Sequence, residues 1–153
     1  MNSFRPKLSE QNQNEDKPLV SKYMVGVTKL VTFSPDTPIL SALDTLLEKR
    51  ITGAPVLDDT GKVVGLIDDK GCLNILLGSG YYNHPVGKET VSSNMPNVKK
   101  TIPIDIDIFM AANMFLTTPY KRLQIVDEYN NLAGQIRRRD ILRAIKDLNT
   151  TTW

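Results

Sequence analysis

The stretch Lys121–Leu142, KRLQIVDEYNNLAGQIRRRDIL, decides the fold. It reads as a strand, a tight turn around Asn130-Asn131, a second strand and the start of a helix. A looser copy lies upstream at Gly53–Leu73, GAPVLDDTGKVVGLIDDKGCL. Gly65 and Gly134 stand 69 positions apart. The same offset sets Val56 on Ile125, Asp58 on Asp127, Ile67 on Ile136 and Leu73 on Leu142. An internal repeat is a strong organising signal, because each copy needs a neighbour to cover its apolar face.

Outward from the hairpins, the first repeat spans residues 18–77. Leu19, Val20, Tyr23 and Met24 have helical spacing, and Leu30–Phe33 reads as a short strand. In SPDTPILSALDTLLEKR, Thr37 suits a helix cap and Pro38 the first helical position. Ile39, Leu40, Leu43, Leu46 and Leu47 form one apolar face. Strands at Ala54–Leu57 and Lys62–Ile67 flank a turn at Asp58–Gly61. A helix over Lys70–Leu77 follows, with Gly78 and Gly80 expected to stop it. Residues 78–89 form a linker. The second repeat, residues 90–148, opens with Val91 and Met95, which repeat Val20 and Met24 at an offset of 71. A strand at Lys100–Ile102 leads to a helix over Asp107–Thr117. That helix is apolar around much of its circumference and is expected to be the more deeply buried of the pair. Strands at Leu123–Val126 and Leu132–Ile136 precede a helix from Arg138 to Leu148, and residues 149–153 are a tail. The fold class is therefore α/β: two β-α-β-β-α repeats with pseudo-twofold symmetry and a cleft between them.

Composition narrows the function. Residues 1–17 are rich in Asn, Gln, Glu and Lys, and read as a disordered tail rather than a secretory signal. No apolar run approaches the roughly 20 residues that span a bilayer. A formal charge of +2 over 153 residues does not argue for nucleic acid. The single cysteine, Cys72, excludes an internal disulfide and fits a reducing, cytoplasmic setting; in GCLNILL it reads as a small core residue. His84 has no second histidine or cysteine cluster beside it, so no metal site is expected. Tyr81 and Tyr82 suit docking of the linker onto the sheet. No nucleophile–base–acid set is visible, so no enzymatic activity is expected.

The pattern of strand, SPDTxxxxAL helix, then APVLDDTGKVVGLI and a further helix, resembles the cystathionine-β-synthase (CBS) domain. In the first copy the likeness rests on Thr32, Asp36, Ala42, Pro55, Val56, Asp58, Gly61 and Gly65; in the second, on Thr101, Asp105, Ala111, Ile125, Asp127, Gly134 and Asp140. Two copies in tandem resemble a CBS pair, or Bateman module. The resemblance implies a non-catalytic regulatory protein that binds AMP, ADP, ATP or S-adenosylmethionine between the copies and signals to a protein effector in trans. It also implies a homodimer.

In that family the second hairpin strand runs into Gly, apolar, any, Ser/Thr, any, any, Asp, and the Asp holds the ribose hydroxyls. Here Gly134 to Asp140 reads GQIRRRD, with Arg137 in place of Ser/Thr. The first copy, GLIDDKG, ends on Gly71 and has lost both polar positions. One site per chain is therefore implied, built on Asp140. By position Val31, Ile51, Thr52 and Ala54 face the adenine, and Arg122 matches a phosphate-contacting arginine. A carboxylate accepts both hydrogen bonds of a cis-diol. Arg137–Arg139 oppose the helix dipole unless an anion binds there. Three other readings stand beside this one, the weakest being nucleic-acid binding through Lys121, Arg122 and Arg137–Arg139, which predicts a steep salt dependence. The arginines can be a solvated face, with Asp140 a first-turn acid complementing the dipole. The module can also be a structural dimerisation unit whose nucleotide site is degenerate and empty.

Overall fold

The computed structural model describes residues 17–81, 88–95 and 101–151. The expectations placed on the tail before Lys17, on Tyr82 and His84 in the linker, and on Trp153 lie outside the described residues. The elements run α1 (Val20–Tyr23), β1 (Val25–Gly26), a 3-10 turn (Val27–Lys29), α2 (Ile39–Lys49), β2 (Gly53–Leu57), β3 (Val63–Asp68) and α3 (Asp69–Tyr81). A second 3-10 turn (Val91–Asn94) precedes β4 (Thr101–Pro103), α4 (Ile108–Thr117), β5 (Arg122–Val126), β6 (Leu132–Arg137) and α5 (Arg138–Thr151). One sheet has the order β1-β6-β5-β4, with β4 parallel to β5, and the other is the β2-β3 hairpin.

The two copies are related by a pseudo-twofold. Both hairpins carry a register shift at the same repeat position, Val56/Leu57 and Ile125/Val126. Both turns are built by an aspartate that accepts backbone N–H groups: Asp58 from Thr60 and Lys62, Asp127 from Tyr129 and Asn131. The hairpin tips meet, Lys62 bridging to Asn131 and Leu132 N donating to Gly61 O. Val63, Val126 and Leu132 bury a small apolar cluster there.

Each repeat is closed by the segment that precedes the other. Val20 and Tyr23 are buried in the core of the second repeat, and Val91 in that of the first. The backbone bonds are reciprocal: Val20 N to Ile106 O and Ile108 N to Pro18 O, against Val91 N to Thr37 O and Ile39 N to Glu89 O. Met24 lies over Gly134 and Met95 over Gly65, where any Cβ would collide with the thioether. These two arms explain why the sheet positions are glycine.

Several boundaries differ from expectation. Leu30–Phe33 is not a strand; only Phe33 bridges to Val56. Helix α2 starts one residue late, because Pro38 is its cap and the Thr37 hydroxyl instead accepts from Ser34 N. Gly78 does not stop α3, which continues to Tyr81: a helical glycine costs only about 1 kcal/mol. Helix α4 is not the more buried of the pair. Ile108, Ala111 and Phe115 are buried on it, at the repeat positions of Ile39, Ala42 and Leu46 on α2. Its extra apolar residues, Met110 and Leu116, face outward. So do Leu47 and Leu73 in the first repeat, and Leu142 at the position matching Leu73.

Candidate functional site

A cleft of about 350 Å³ lies between the repeats, within the usual size of small-molecule sites. The loop and strand start after α2 supply one wall through Arg50, Ile51, Thr52 and Gly53, joined by Val31. Strands β5 and β6 supply the other through Arg122, Gln135 and Arg137, and Lys29 stands at the edge. Among the described lining residues are four cations and no acid. A larger hollow, about 680 Å³, is walled by Asp105, Asp127 and Glu128 without a cation. It offers an anion nothing, and one oxygen of the Asp127 carboxylate is engaged by its turn.

Alternation along the strands builds the cleft wall. Leu123, Ile125 and Ile136 point into the core, so Arg122, Gln124, Gln135 and Arg137 share the opposite face. Arg122 and Arg137 are partners across β5 and β6. Like charges in that position repel. The Arg122 guanidinium donates to the Thr52 hydroxyl of the other repeat. It also crosses directly over Gly53, where a Cβ would strike it. Burial holds its pKa below the usual arginine value, and Arg137 adds to that, while Asp68 and Asp69 pull it back up. It stays cationic at neutral pH, since an arginine does not deprotonate in proteins. Arg50 reaches the cleft from a left-handed backbone (φ 56°, ψ 44°) at the end of α2. That conformation costs a residue with a Cβ roughly 1–2 kcal/mol.

Asp140 is fully buried. One carboxylate oxygen accepts from Arg137 N at 2.8 Å and Arg137 Nε at 3.1 Å; the other accepts from Arg137 Nη2 at 3.1 Å. Arg143 adds an ion pair at 3.4 Å. Arg143 in turn donates to Tyr23 O, and the Tyr23 hydroxyl donates to Asp147. The structure thus brings Val31, Ile51, Thr52, Arg122 and Arg137 together on the cleft. Ala54 is buried in the first repeat's core, and Asp140 stands behind Arg137 with both oxygens engaged. In this arrangement the carboxylate offers a ribose no free lone pair toward the cleft, because the arginine that replaces Ser/Thr has taken it. Arg138 donates to Tyr120 O, Arg139 is exposed, and neither lines the cleft. At the matching place in the first copy, Asp68 accepts from Gly71 N, so an acid stands where the second copy has Arg137.

Sequence reasoning missed Lys29, Arg50 and Gln135. Lys29 ends a 3-10 turn and Arg50 caps α2, and only the packing of the first repeat on the second sets them beside Arg122 and Arg137. Gln135 was legible as a polar residue on an alternating strand. Its amide oxygen accepts from Gln124 Nε2 at 2.9 Å, and both side chains are more than nine-tenths buried.

The sequence profile of the CBS domain matches residues 20–78 and 90–147. The chain is 31% identical over 148 residues to the chloroplastic CBS domain-containing protein CBSX1 of Arabidopsis thaliana, covering 82% of this chain and 63% of that protein. It is 28% identical over 137 residues to inosine-5'-monophosphate dehydrogenase of Aquifex aeolicus, covering 89% of this chain but 27% of the enzyme. It therefore spans less than two thirds of the length of either relative. The crystal structure of Arabidopsis thaliana CBSX2 in complex with AMP superposes with a TM-score of 0.76 at 26% identity, covering 86% of this chain and 98% of that one.

Proposed function

The chain belongs to the CBS domain family, and from that membership we propose that it is a non-catalytic regulatory module that binds an adenosine nucleotide in the cleft between its repeats. The observation that carries this reading is the in-register pair Arg122 and Arg137, with Arg50 and Lys29 around it and no acid among the described lining residues. Arg122 and Arg137 repel across the strands, and Asp140 behind Arg137 with Asp68 and Asp69 near Arg122 offsets only part of it. A phosphate reverses the sign and meets guanidinium forks suited to it. The AMP complex of the related CBSX2 supports the ligand class. Val31 and Ile51 supply an apolar flank for the base. The ligand set to test is AMP, ADP, ATP and S-adenosylmethionine, in a protein working in the cytoplasm on a protein effector in trans.

Titration calorimetry tests this. AMP is expected to bind, and Arg122→Ala to weaken AMP by about one to two orders of magnitude, from roughly 1.5–3 kcal/mol for charge-assisted hydrogen bonds. Adenosine, which lacks the phosphate, should change much less. Equal losses for AMP and adenosine would remove Arg122 from phosphate reading. A second reading, a structural dimerisation module with an empty site, is favoured by the engagement of Asp140 by Arg137 and Arg143. It is the correct one if none of the four ligands gives heat or shifts the melting temperature.

The homodimer is also proposed. Leu47 and Leu73, and their repeat counterparts Leu116 and Leu142, are large exposed apolar side chains on α2, α3, α4 and α5. In the second repeat they border a groove with Phe115, Ile141 and Ile145. Exposed apolar patches of this kind mark contact surfaces. Light scattering is expected to give twice the chain mass, and Leu116→Glu with Leu142→Glu to halve it.

A further inference from the structure

Two rungs of paired side chains cross β5 and β6 on the cleft face. The outer rung is Arg122 with Arg137, and the next is Gln124 with Gln135. Same-face rungs are about 7 Å apart along a strand, which leaves room for a pentose between an anion at the arginines and a flat ring at the amides. We infer that the amide rung selects the ligand: Gln135 reads the polar edge of the base, held in register by Gln124. This rests on the nucleotide reading above.

Two observations carry it. Gln135 lines the cleft, although only 9% exposed. Gln124 Nε2 donates to its carbonyl oxygen, which fixes the amide and leaves the Gln135 NH2 group as the donor available to a ligand. Gln124 Oε1 is buried and has no hydrogen-bond partner. Gln124 does not line the cleft, so its part is to hold Gln135 rather than to meet a ligand. The Gln135 amide donor on the cleft suits the ring acceptor that adenine carries beside its amino group, where the base of IMP carries an N–H instead. The repeat counterparts are Pro55 and Leu66, which carry no polar side-chain atom. The amide rung therefore belongs to one copy only, as does the arginine rung.

The test compares AMP, IMP and ribose 5-phosphate by calorimetry on wild type, Gln135→Leu, and the double variant Gln124→Leu/Gln135→Leu. The double variant strands no amide, and replacing both partners of a buried hydrogen bond can be nearly neutral for stability; it keeps the test alive if the single variant folds poorly. AMP affinity is expected to fall about tenfold in both variants. The AMP-to-IMP preference should collapse toward one, and ribose 5-phosphate should bind unchanged. Loss of affinity for AMP and ribose 5-phosphate alike, or for neither, while Arg122→Ala still weakens AMP, overturns the amide assignment and leaves the nucleotide reading standing. Failure of wild type to bind any of the three overturns both.

Discussion

Asp140→Ala is expected to lower the unfolding free energy by about 3 kcal/mol, near the bottom of the range for breaking a buried ion pair. The carboxylate is fully buried and gathers three bonds from Arg137 and an ion pair from Arg143. The arginine side chains are 39% and 52% exposed. They can rehydrate when the acid is removed, so no charge is stranded and the upper end of the range is not reached. For a chain of this size the melting temperature should drop by about 6–12 °C. Urea unfolding checks the value, and a change under about 0.5 kcal/mol would show that the network contributes little. The same variant frees Arg137 to leave the cleft wall, and AMP binding should weaken with it. Arg137→Ala then separates two roles for the acid. If Asp140 only positions Arg137, the two variants lose AMP affinity alike. If Asp140 grips the ribose itself, removing Arg137 leaves adenosine binding intact or improves it.

Truncation of the chain to start at Val27 is expected to cost more. It removes Val20, Tyr23 and β1 from the second repeat. Burial of each large apolar side chain contributes roughly 1.5–3 kcal/mol, and the edge of β6 loses its partner. Tyr23 also takes with it the bonds to Asp147 and Arg143. The sum, about 5 kcal/mol, is comparable with the whole stability of many domains. The truncated chain should show a depleted near-ultraviolet signal and exchange the amides of β5 and β6 rapidly. A melting curve close to that of the full chain would refute the structural role given to this arm.

Local chemistry made much of the fold legible. The alternation in LQIV and AGQI, the aspartate-led turns and the 69-residue offset all act over short distances and leave a direct trace in the sequence. The burial of α4 was misjudged because periodicity reports apolar content but not what covers it: Met110 and Leu116 are as apolar as core residues, yet they face outward. Val31, Ile51, Thr52, Arg122 and Arg137 were placed on one cleft through the family resemblance, and the strands do bring them together. The state of Asp140 was not legible. Whether its carboxylate faces a ligand or an arginine depends on where the Arg137 side chain folds back, and no spacing rule encodes that. Lys29 and Arg50 of the first repeat meet Arg122 and Arg137 of the second only through packing between the repeats.

The reciprocal arms also bear on how the chain is made. The Tyr23 hydroxyl waits for Asp147, 124 positions later, and the first repeat's core waits for Val91. At roughly 5–20 residues per second on the ribosome, the arm emerges some 6–25 s before its seat does. The first repeat closes only once Val91 has emerged, and the second only after α5 has left the exit tunnel. Until then Val20 and Tyr23 are exposed apolar side chains on a nascent chain, which makes this interval the one in which a chaperone, or the arm of a neighbouring chain, competes for the site.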